Sequence, residues 1–347
     1  KMNTSIQIAR READILSRFA YNQGYSIYIG IPFCPSICLY CSFSSYSLSI
    51  YQTKVDAYLD ALEKEIIYTG SSLSSKPLHS IYIGGGTPTS LNAQQMDRLL
   101  SMIDKYLDTS HLLEITVEAG RPDSITRDKL EVIKAHGIDR ISINPQSMNQ
   151  KTLDLIGRHH SVEQIWDTYH LARDIGFRHI NMDLIIGLPG ETKEDIAYTL
   201  DQINDMKPDN LTVHSLAMKR SARLHTDWES YRNYHYQNSN ELMEMAEKIA
   251  KNMDMNPYYL YRQKNMAGNL ENVGYAKDGK EGIYNILIME EKQTIMALGA
   301  GASCKYVTNA GKTVTRSENV KDVDLYIQRI DEMILRKQEK LEEIQWL

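Results

Sequence analysis

The residues most able to do chemistry are three cysteines in one short segment. Cys34, Cys38 and Cys41 form a CxxxCxxC pattern within residues 31–41, IPFCPSICLYC. Structural zinc takes four protein ligands, yet the next His is His79 and the only other Cys is Cys304. A four-iron, four-sulfur (4Fe-4S) cluster normally takes four cysteines, so three would leave one iron open to another ligand. Chemistry could occur at that iron.

Two other interpretations of these cysteines are weaker. Free cysteines are often buried core residues. Cores do not, however, gather three of a chain's four cysteines within eight residues beside Pro and Ser. A disulfide is also unfavourable, because a chain of 347 residues does not need a disulfide for stability. Three cysteines would also leave one thiol unpaired. We therefore predict a metal cluster at Cys34, Cys38 and Cys41, and a core position for Cys304.

Composition and charge exclude several classes of protein. The chain is 42% hydrophobic and 24% charged, as expected of a soluble globular protein. Its net charge of -6 offers no basic footprint for nucleic acid. No apolar run approaches the roughly 20 residues that span a bilayer, and the start lacks a signal-peptide pattern. We expect a cytoplasmic protein, since a labile thiolate cluster also suits a reducing compartment.

Short apolar runs alternate with amphipathic segments between residues 26 and 215, which predicts repeated βα units around a parallel sheet. Helical spacing of Leu, Ile and Met is clearest at 55–68, 94–106 and 129–136. We predict an α/β fold, an open βα barrel of about six strands. The six strands are 27–30, 81–84, 114–118, 140–143, 180–186 and 211–214.

The pattern changes after residue 218, where we place a domain boundary. Residues 1–25 are predicted to be a helical lead-in, 26–218 the partial barrel, and 219–347 an α+β domain that covers the substrate. Within the last part we predict helices at 240–253 and 322–343, strands at 258–261 and 283–289, and a Gly-rich turn at 298–302.

The unusual residues follow successive predicted strands. The cysteines follow the first strand, residues 84–87 (GGGT) the second, Glu118 ends the third, Gln146 follows the fourth, and 187–190 (GLPG) the fifth. In βα barrels the active site lies at the carboxyl ends of the strands. We therefore expect one site on this rim. The glycines could approach a ligand closely, or could simply form a tight turn before Pro88.

Three charged residues are further candidates for functional roles. Asp183 lies in an otherwise apolar strand and needs a partner, because a buried unpaired charge is costly. Arg158 could clamp a carboxylate with its planar fork of donors, or could lie on the surface. Glu118 could bind a ligand or be a solvated strand end.

Five segments together resemble radical S-adenosylmethionine (SAM) enzymes, and more narrowly the oxygen-independent coproporphyrinogen III oxidase group. Residues 256–275 and 298–303 resemble the bacterial coproporphyrinogen dehydrogenase-like branch of that group. The five segments are 28–41 (YIGIPFCPSICLYC), 83–89 (IGGGTPT), 116–122 (TVEAGRP), 140–148 (RISINPQSM) and 181–190 (NMDLIIGLPG).

The resemblance implies a 4Fe-4S cluster on the three cysteines, with SAM on the open iron. Tyr28 and Tyr40 would flank SAM, and Glu118 would accept hydrogen bonds from it. The glycine turn would meet its methionine part through Gly85, Gly86 and Thr87. Four further positions match SAM contacts in the family, some of them to a second SAM molecule: Gln146, Arg158, Asp183 and Ala217.

The resemblance also implies the reaction and the partners. One electron, from a donor such as a flavodoxin or ferredoxin, would cleave SAM to a 5′-deoxyadenosyl radical. That radical would abstract hydrogen from a propionate, and loss of carbon dioxide and a second electron would leave a vinyl group. Coproporphyrinogen III would become protoporphyrinogen IX, in porphyrin and haem biosynthesis. We expect a monomer, with substrate carboxylates held by cations among Lys219, Arg220, Arg223, Arg262 and Lys264.

Two alternative functions stay open at this point. The oxidase has another cysteine two positions after the third ligand, where this chain has Phe43. A related branch of haem-binding chaperones also lacks that cysteine, but it usually shows a His-Asn pair where this chain has Tyr284 and Asn285. The third hypothesis is a radical SAM enzyme acting on another tetrapyrrole, such as haem.

Overall fold

The structure is a computed structural model that describes residues 2–43, 45–236, 238–262, 270–344 and 346. The strands are β1 (Tyr25–Ile31), β2 (Phe33–Cys34), β3 (Tyr46–Ser47), β4 (Leu78–Gly85), β5 (Glu114–Gly120), β6 (Arg140–Ile143), β7 (His179–Ile186), β8 (Asn210–Ser215), β9 (Asn256–Tyr261), β10 (Asn272–Ala276), β11 (Thr294–Leu298), β12 (Ser303–Thr308) and β13 (Thr313–Glu318). The helices are α1 (Met2–Leu16), α2 (Leu48–Tyr51), α3 (Val55–Ser72), α4 (Ala93–Tyr106), α5 (Arg127–Ala135), α6 (Gln150–Leu155), α7 (Val162–Ile175), α8 (Lys193–Met206), α9 (Arg223–Thr226), α10 (Trp228–Tyr231), α11 (Asn240–Asn252), α12 (Ile283–Met289), α13 (Val323–Gln328) and α14 (Ile330–Glu343).

One large sheet carries the candidate site. Its strand order is β13-β12-β11-β1-β4-β5-β6-β7-β8-β10-β9. The six predicted strands are all present as neighbours, β1 and β4 to β8, and each pairs in parallel with the next. Strand β11 also pairs in parallel, on the other side of β1. The predicted α/β fold is confirmed, and the carboxyl ends of the parallel strands meet at one edge.

The two faces of the parallel strands differ in polarity because side chains alternate along each strand. One face carries Ile27, Ile81 and Val117, which are buried in a core shared with apolar residues of α3, α4 and α7. The other face carries tyrosines and polar residues. On it Tyr82 stacks between Tyr28 and Tyr284, at ring-centroid distances of 6.3 and 4.9 Å.

The segments after residue 218 extend this same sheet at both edges. Strands β10 and β9 add in antiparallel fashion beyond β8, while β11 to β13 add beyond β1. The division of the chain at residue 218 stays a prediction, because sharing a sheet and folding as an independent unit are different properties. Among the described residues, no helix is both long enough and apolar enough to cross a bilayer.

The prediction of a strand at 283–289 is wrong, because this segment is helix α12. A seven-residue apolar run fits a buried strand or a buried helix equally well. The carboxylate of Glu114 decides the outcome by accepting from the backbone N–H groups of Ile283 (2.7 Å) and Tyr284 (3.4 Å). It thereby satisfies amides that every helix leaves unpaired at its start. The predicted helix at 322–343 is also divided, with Arg329 between α13 and α14.

A buried ion pair joins the last helix to α3. Lys337 Nζ lies 2.6 Å from Glu65 Oε1, and the two side chains are 1% and 0% exposed. Glu65 also accepts from the backbone N–H of Gly299, the amide of Asn319 and the hydroxyl of Tyr326. The carboxylate is therefore fully hydrogen-bonded, and it links α3, α13, α14 and the Gly-rich turn after β11.

Substitution of Lys337 tests this link. K337M leaves the Glu65 carboxylate buried without its counter-ion, so the free energy of unfolding should fall by about 3 kcal/mol. Anaerobic equilibrium urea denaturation measures it. The matched control is K340M, which removes an exposed pair with Glu343 one turn later and should change stability by less than about 1 kcal/mol. Equal effects of the two substitutions would contradict this role of the buried pair.

Candidate active site

The fold places the three cysteines at the carboxyl edge of the sheet. The chain continues from β1 into β2, which ends at Cys34, and the segment that follows returns as β3, paired with β2. Backbone hydrogen bonds fix this loop on two sides. The N–H groups of Gly86 and Thr87 donate to the carbonyls of Ile31 and Phe33, both at 2.8 Å. Leu39 N–H donates to Ile156 O at 2.9 Å.

One cavity of about 120 Å³ collects most of the predicted site residues. It lies between the cysteine loop and the ends of β4 to β6. Tyr28 and Asp183 lie on the polar face of the sheet beside the cavity rather than in its lining, and Ala217 lies two residues past β8. The predicted residues that line the cavity are Cys34, Cys38, Cys41, Tyr40, Gly85, Gly86, Thr87, Glu118, Gln146 and Arg158.

The thiols suit a resident metal cluster. The pKa of the Cys34 thiol is raised to about 11, mainly by burial and less by the neighbouring Cys41 and Cys38, while hydrogen bonds with Thr87 and Ser45 oppose the rise. Adjacent buried thiols cannot all ionise without a compensating cation, which bound iron would supply. Across the described residues, no three His, Cys, Asp or Glu side chains converge as ligands of a single metal ion. Thiolate ligands of an iron–sulfur cluster need not converge, since each binds its own iron.

The glycine turn forms a cradle against the cysteine loop. A Cβ on Gly86 would lie 2.9 Å from Cys34 Sγ and 2.7 Å from Phe33 O, so no larger residue fits. Gly85 adopts φ +115°, a conformation that favours glycine. A short 3-10 helix opens at Pro88 directly after this turn. The tight turn before Pro88 is therefore observed, and close approach of these glycines to a ligand stays a prediction.

Two side chains in the cavity have buried polar atoms without protein partners. They are Gln146, through Oε1, and Arg158, through Nε and Nη1. Arg158 is 2% exposed, so it is not a surface arginine, and its Nη2 donates to Gly120 O at 3.3 Å. Gln146 adopts φ +66°, which is strained for a residue with a side chain. Unsatisfied buried donors are costly, so an anionic ligand such as a carboxylate fits here.

The carboxyl group of Glu118 faces the same cavity. Its pKa is raised to about 8, mainly by burial and less by the nearby Asp183, while Arg158 opposes the rise. Asn144 Nδ2 donates to Glu118 Oε1 at 3.3 Å. A carboxyl group with such a pKa can gain or lose a proton near neutral pH when a cation binds.

Asp183 has the partners that its sequence context required. Asn181 Nδ2 donates to Oδ1 at 2.8 Å, and His214 Nε2 lies 3.6 Å from Oδ2. Burial alone would raise the pKa of Asp183, but these groups and Thr212 outweigh it and hold the pKa below its ordinary value. Tyr261 continues the series, with its hydroxyl 3.0 Å from His214 Nδ1.

Sequence reasoning missed two residues of this site, Arg121 and Asn144. Both line the cavity. Arg121 Nη1 lies 3.6 Å from Cys38 Sγ, which makes it the cation nearest to the thiols among the described contacts. The available signal was position, because Arg121 follows Glu118 by three residues at a strand end and Asn144 directly follows β6.

Two of the predicted substrate cations form ion pairs within the protein. Arg223 lies 3.7 Å from Asp227, and Arg262 pairs with Glu271 at 2.8 Å. Lys219 is half-buried and Arg220 is exposed. Lys264 lies outside the described residues. Cys304 is buried on β12, where it accepts from Ala297 N–H at 3.1 Å, in agreement with a core position.

The sequence of this chain is similar to those of known proteins. The radical SAM superfamily model matches residues 28–203. The chain is 43% identical, over 97% of its own length and 68% of the relative's, to the oxygen-independent coproporphyrinogen-III oxidase-like protein HemZ of Bacillus subtilis. It is 34% identical, over 88% of its length and 76% of the relative's, to the heme chaperone HemW of the same organism.

A solved structure agrees with these relatives. Coproporphyrinogen III oxidase (HemN) from Escherichia coli, a radical SAM enzyme, superposes with a TM-score of 0.70 at 25% identity. The match covers 93% of this chain and 73% of that one. The family implies a 4Fe-4S cluster and SAM, and the cysteine loop, cradle and orphaned donors described above fit both groups. The chain belongs to the radical SAM superfamily, in the group of oxygen-independent coproporphyrinogen III oxidase-like proteins.

Proposed function

We propose that this protein is a radical SAM oxidoreductase that converts the propionates of coproporphyrinogen III to vinyl groups without oxygen. The single observation that carries the proposal is the cavity in which Cys34, Cys38 and Cys41 meet the unpaired donors of Arg158 and the unpaired acceptor Oε1 of Gln146. The similarity to HemZ over nearly the whole chain supports the same reaction class. Cytoplasmic location, monomeric state and a flavodoxin or ferredoxin donor stay predictions.

The residues around the cavity would have different roles. Cys34, Cys38 and Cys41 would hold the cluster, which with SAM supplies one-electron cleavage to a carbon radical. Arg158 presents two donors that suit the carboxylate of SAM. Glu118 would accept from the amino group of SAM once its own proton is lost.

Other groups would position SAM and the substrate. Gly85 and Gly86 bring backbone against the site, while Thr87 and Tyr40 close the cavity walls. Asp183, held by Asn181, suits ribose hydroxyls. Gln146 and Ala217 stay proposed SAM contacts, and Tyr28 a flanking ring. Titration of cluster-containing protein with SAM measures whether one or two SAM molecules bind per chain.

Substrate cations would lie beside the cysteine loop. Ser221 Oγ donates to Ser42 O at 3.3 Å, which places the segment with Lys219, Arg220 and Arg223 against the loop. A coproporphyrinogen carries several carboxylates, so cations at this position would orient a propionate toward the cavity.

A haem chaperone is the second candidate, because HemW is also similar over most of the chain. Tyr284 and Asn285 do not favour the chaperone. Tyr284 is 4% exposed within the tyrosine stack, and the Asn285 amide donates to the Tyr258 hydroxyl at 3.0 Å. Both side chains are thus engaged inside the protein. An enzyme acting on another tetrapyrrole, such as haem, is the third candidate.

Anaerobic turnover separates these candidates. Reconstituted protein with SAM, a one-electron reductant and coproporphyrinogen III should release two molecules of carbon dioxide per product and form protoporphyrinogen IX, detected by mass spectrometry. Cleavage of SAM with the substrate unchanged would contradict the oxidase. Stoichiometric haem that survives gel filtration would favour the chaperone, and a new product from haem would favour the third candidate.

Cysteine substitutions test the cluster itself. C38S should lose most of the roughly four irons expected per chain, because two thiolates cannot retain a cluster that three hold with one iron open. C304S is the matched control and should keep full iron and sulfide, since Cys304 contacts only the core. Iron and sulfide assays and the visible absorbance of anaerobic samples measure the result. Equal loss in both variants would contradict the assignment.

The affinity for SAM should depend on pH through Glu118. Below its pKa of about 8 the carboxyl carries a proton that it must release to accept from the N–H groups of the SAM amine. Through Glu118 the affinity should therefore rise as pH increases from 6.5 to 8, by up to about tenfold per unit, and then level off. Calorimetric titration at each pH measures this, and E118Q should bind more weakly with a shallower profile, which retains only the deprotonation of the SAM amino group itself. An equal slope in E118Q and in the unchanged protein would contradict this role of Glu118.

A further inference from the structure

Arg121 is the one cation that the described structure brings into contact with a cysteine of the loop. Its Nη1 lies 3.6 Å from Cys38 Sγ. The hydrogen-bonding neighbours of the other two thiols are hydroxyl groups, with Thr87 Oγ1 3.4 Å from Cys34 and Ser45 Oγ 3.8 Å from Cys41. The three cluster ligands therefore stand in different electrostatic environments.

The guanidinium is held rigidly in this position. The same Nη1 donates to the carbonyl of Ser36, inside the CxxxCxxC loop, at 2.9 Å. Nε and Nη2 donate to the two carboxylate oxygens of Asp123, at 3.0 and 2.7 Å, in a bidentate pair. The Arg121 side chain is only 4% exposed, so it cannot turn away to solvent.

Both partners are charged in this environment. Burial would lower the pKa of Arg121, but Asp123 and Cys38 outweigh it and raise the pKa above its ordinary value. Burial likewise would raise the pKa of Asp123, but His160 and Arg121 hold it far below its usual range. The buried ring of His160 completes the group, with Nδ1 3.8 Å from Asp123.

We propose that Arg121 is a positioning residue for the cluster, which fixes the cysteine loop through Ser36 and raises the cluster's reduction potential through its charge beside Cys38. Asp123 limits that effect, because its negative charge lies on the far side of the same guanidinium. The physical basis is that net charge and hydrogen bonds to sulfur set the potential of such clusters. This inference rests on the cluster in the proposed function and does not depend on which tetrapyrrole is the substrate.

The two charges of the pair predict shifts of opposite sign. R121Q removes the cation and should lower the ratio of reduced to oxidised cluster at a fixed potential by about tenfold, a shift of about 59 mV for a one-electron couple. D123N keeps an acceptor for Arg121 but removes the opposing charge, so the ratio should rise. R121K keeps the charge and should lie closer to the unchanged protein than to R121Q.

The test is a redox titration of reconstituted protein without SAM or tetrapyrrole, followed by the electron paramagnetic resonance signal of the reduced cluster. Iron and sulfide are assayed in each sample. R173Q is the matched control. Arg173 pairs with Asp209 at 2.8 Å, and Asp209 directly precedes β8, at the amino-terminal ends of the parallel strands. The potential of this variant should equal that of the unchanged protein.

Opposite shifts in R121Q and D123N support the proposal. Shifts of the same sign, no shift in either variant, or a shift in R173Q as large as that in R121Q would overturn it. Where R121Q fails to retain iron, D123N decides, because a raised potential supports the proposal and an unchanged or lowered one overturns it. Failure of the unchanged protein to turn over coproporphyrinogen would overturn the proposed substrate alone.

Discussion

The close approach of two backbone segments at the carboxyl edge of the sheet brings the three cysteines against the turn after β4. Gly86 and Thr87 in that turn donate their backbone N–H groups to Ile31 O at the end of β1 and Phe33 O in β2, and a methyl group on Gly86 would strike Cys34. Glycine is thus required for the thiols to lie against the turn. Because Glu118 and Gln146 leave the next strands at the same edge, they reach the same cavity without any long-range loop.

The charged groups of this cavity would suit both proposed occupants, the cluster and SAM. Its acidic groups are the three thiols, Glu118 and the neighbouring Asp183, of which Cys34 and Cys38 are buried and Cys41, Glu118 and Asp183 are partly buried. Of its two buried arginines, Arg121 is saturated by Asp123, whereas Arg158 keeps two donors unpaired. The saturated cation belongs to the permanent structure. The unsaturated one has capacity for a ligand carboxylate, so the two arginines have different tasks.

Much of the fold could be predicted from local sequence, because the six parallel strands have apolar runs and the helices between them have regular spacing. The segment 283–289 could not, since its apolar run fits either structure and the carboxylate that caps it comes from Glu114 on a distant strand. The parallel pairing of β11 with β1, and the link from Glu65 to Lys337, are likewise long-range results. Arg121 was missed because its spacing resembles no ligand pattern, and only the fold brings it to Cys38.

The proposed chemistry requires that three thiolates hold a cluster whose fourth iron binds SAM. The most direct measurement is pulsed electron–nuclear double resonance on the reduced, reconstituted protein with SAM labelled by ¹⁵N in its amino group and ¹⁷O in its carboxylate. We expect strong hyperfine couplings to both labels, because only nuclei bonded to a cluster iron interact so strongly with its unpaired spin. An intact, reducible cluster with SAM bound but no coupling to either label would contradict it.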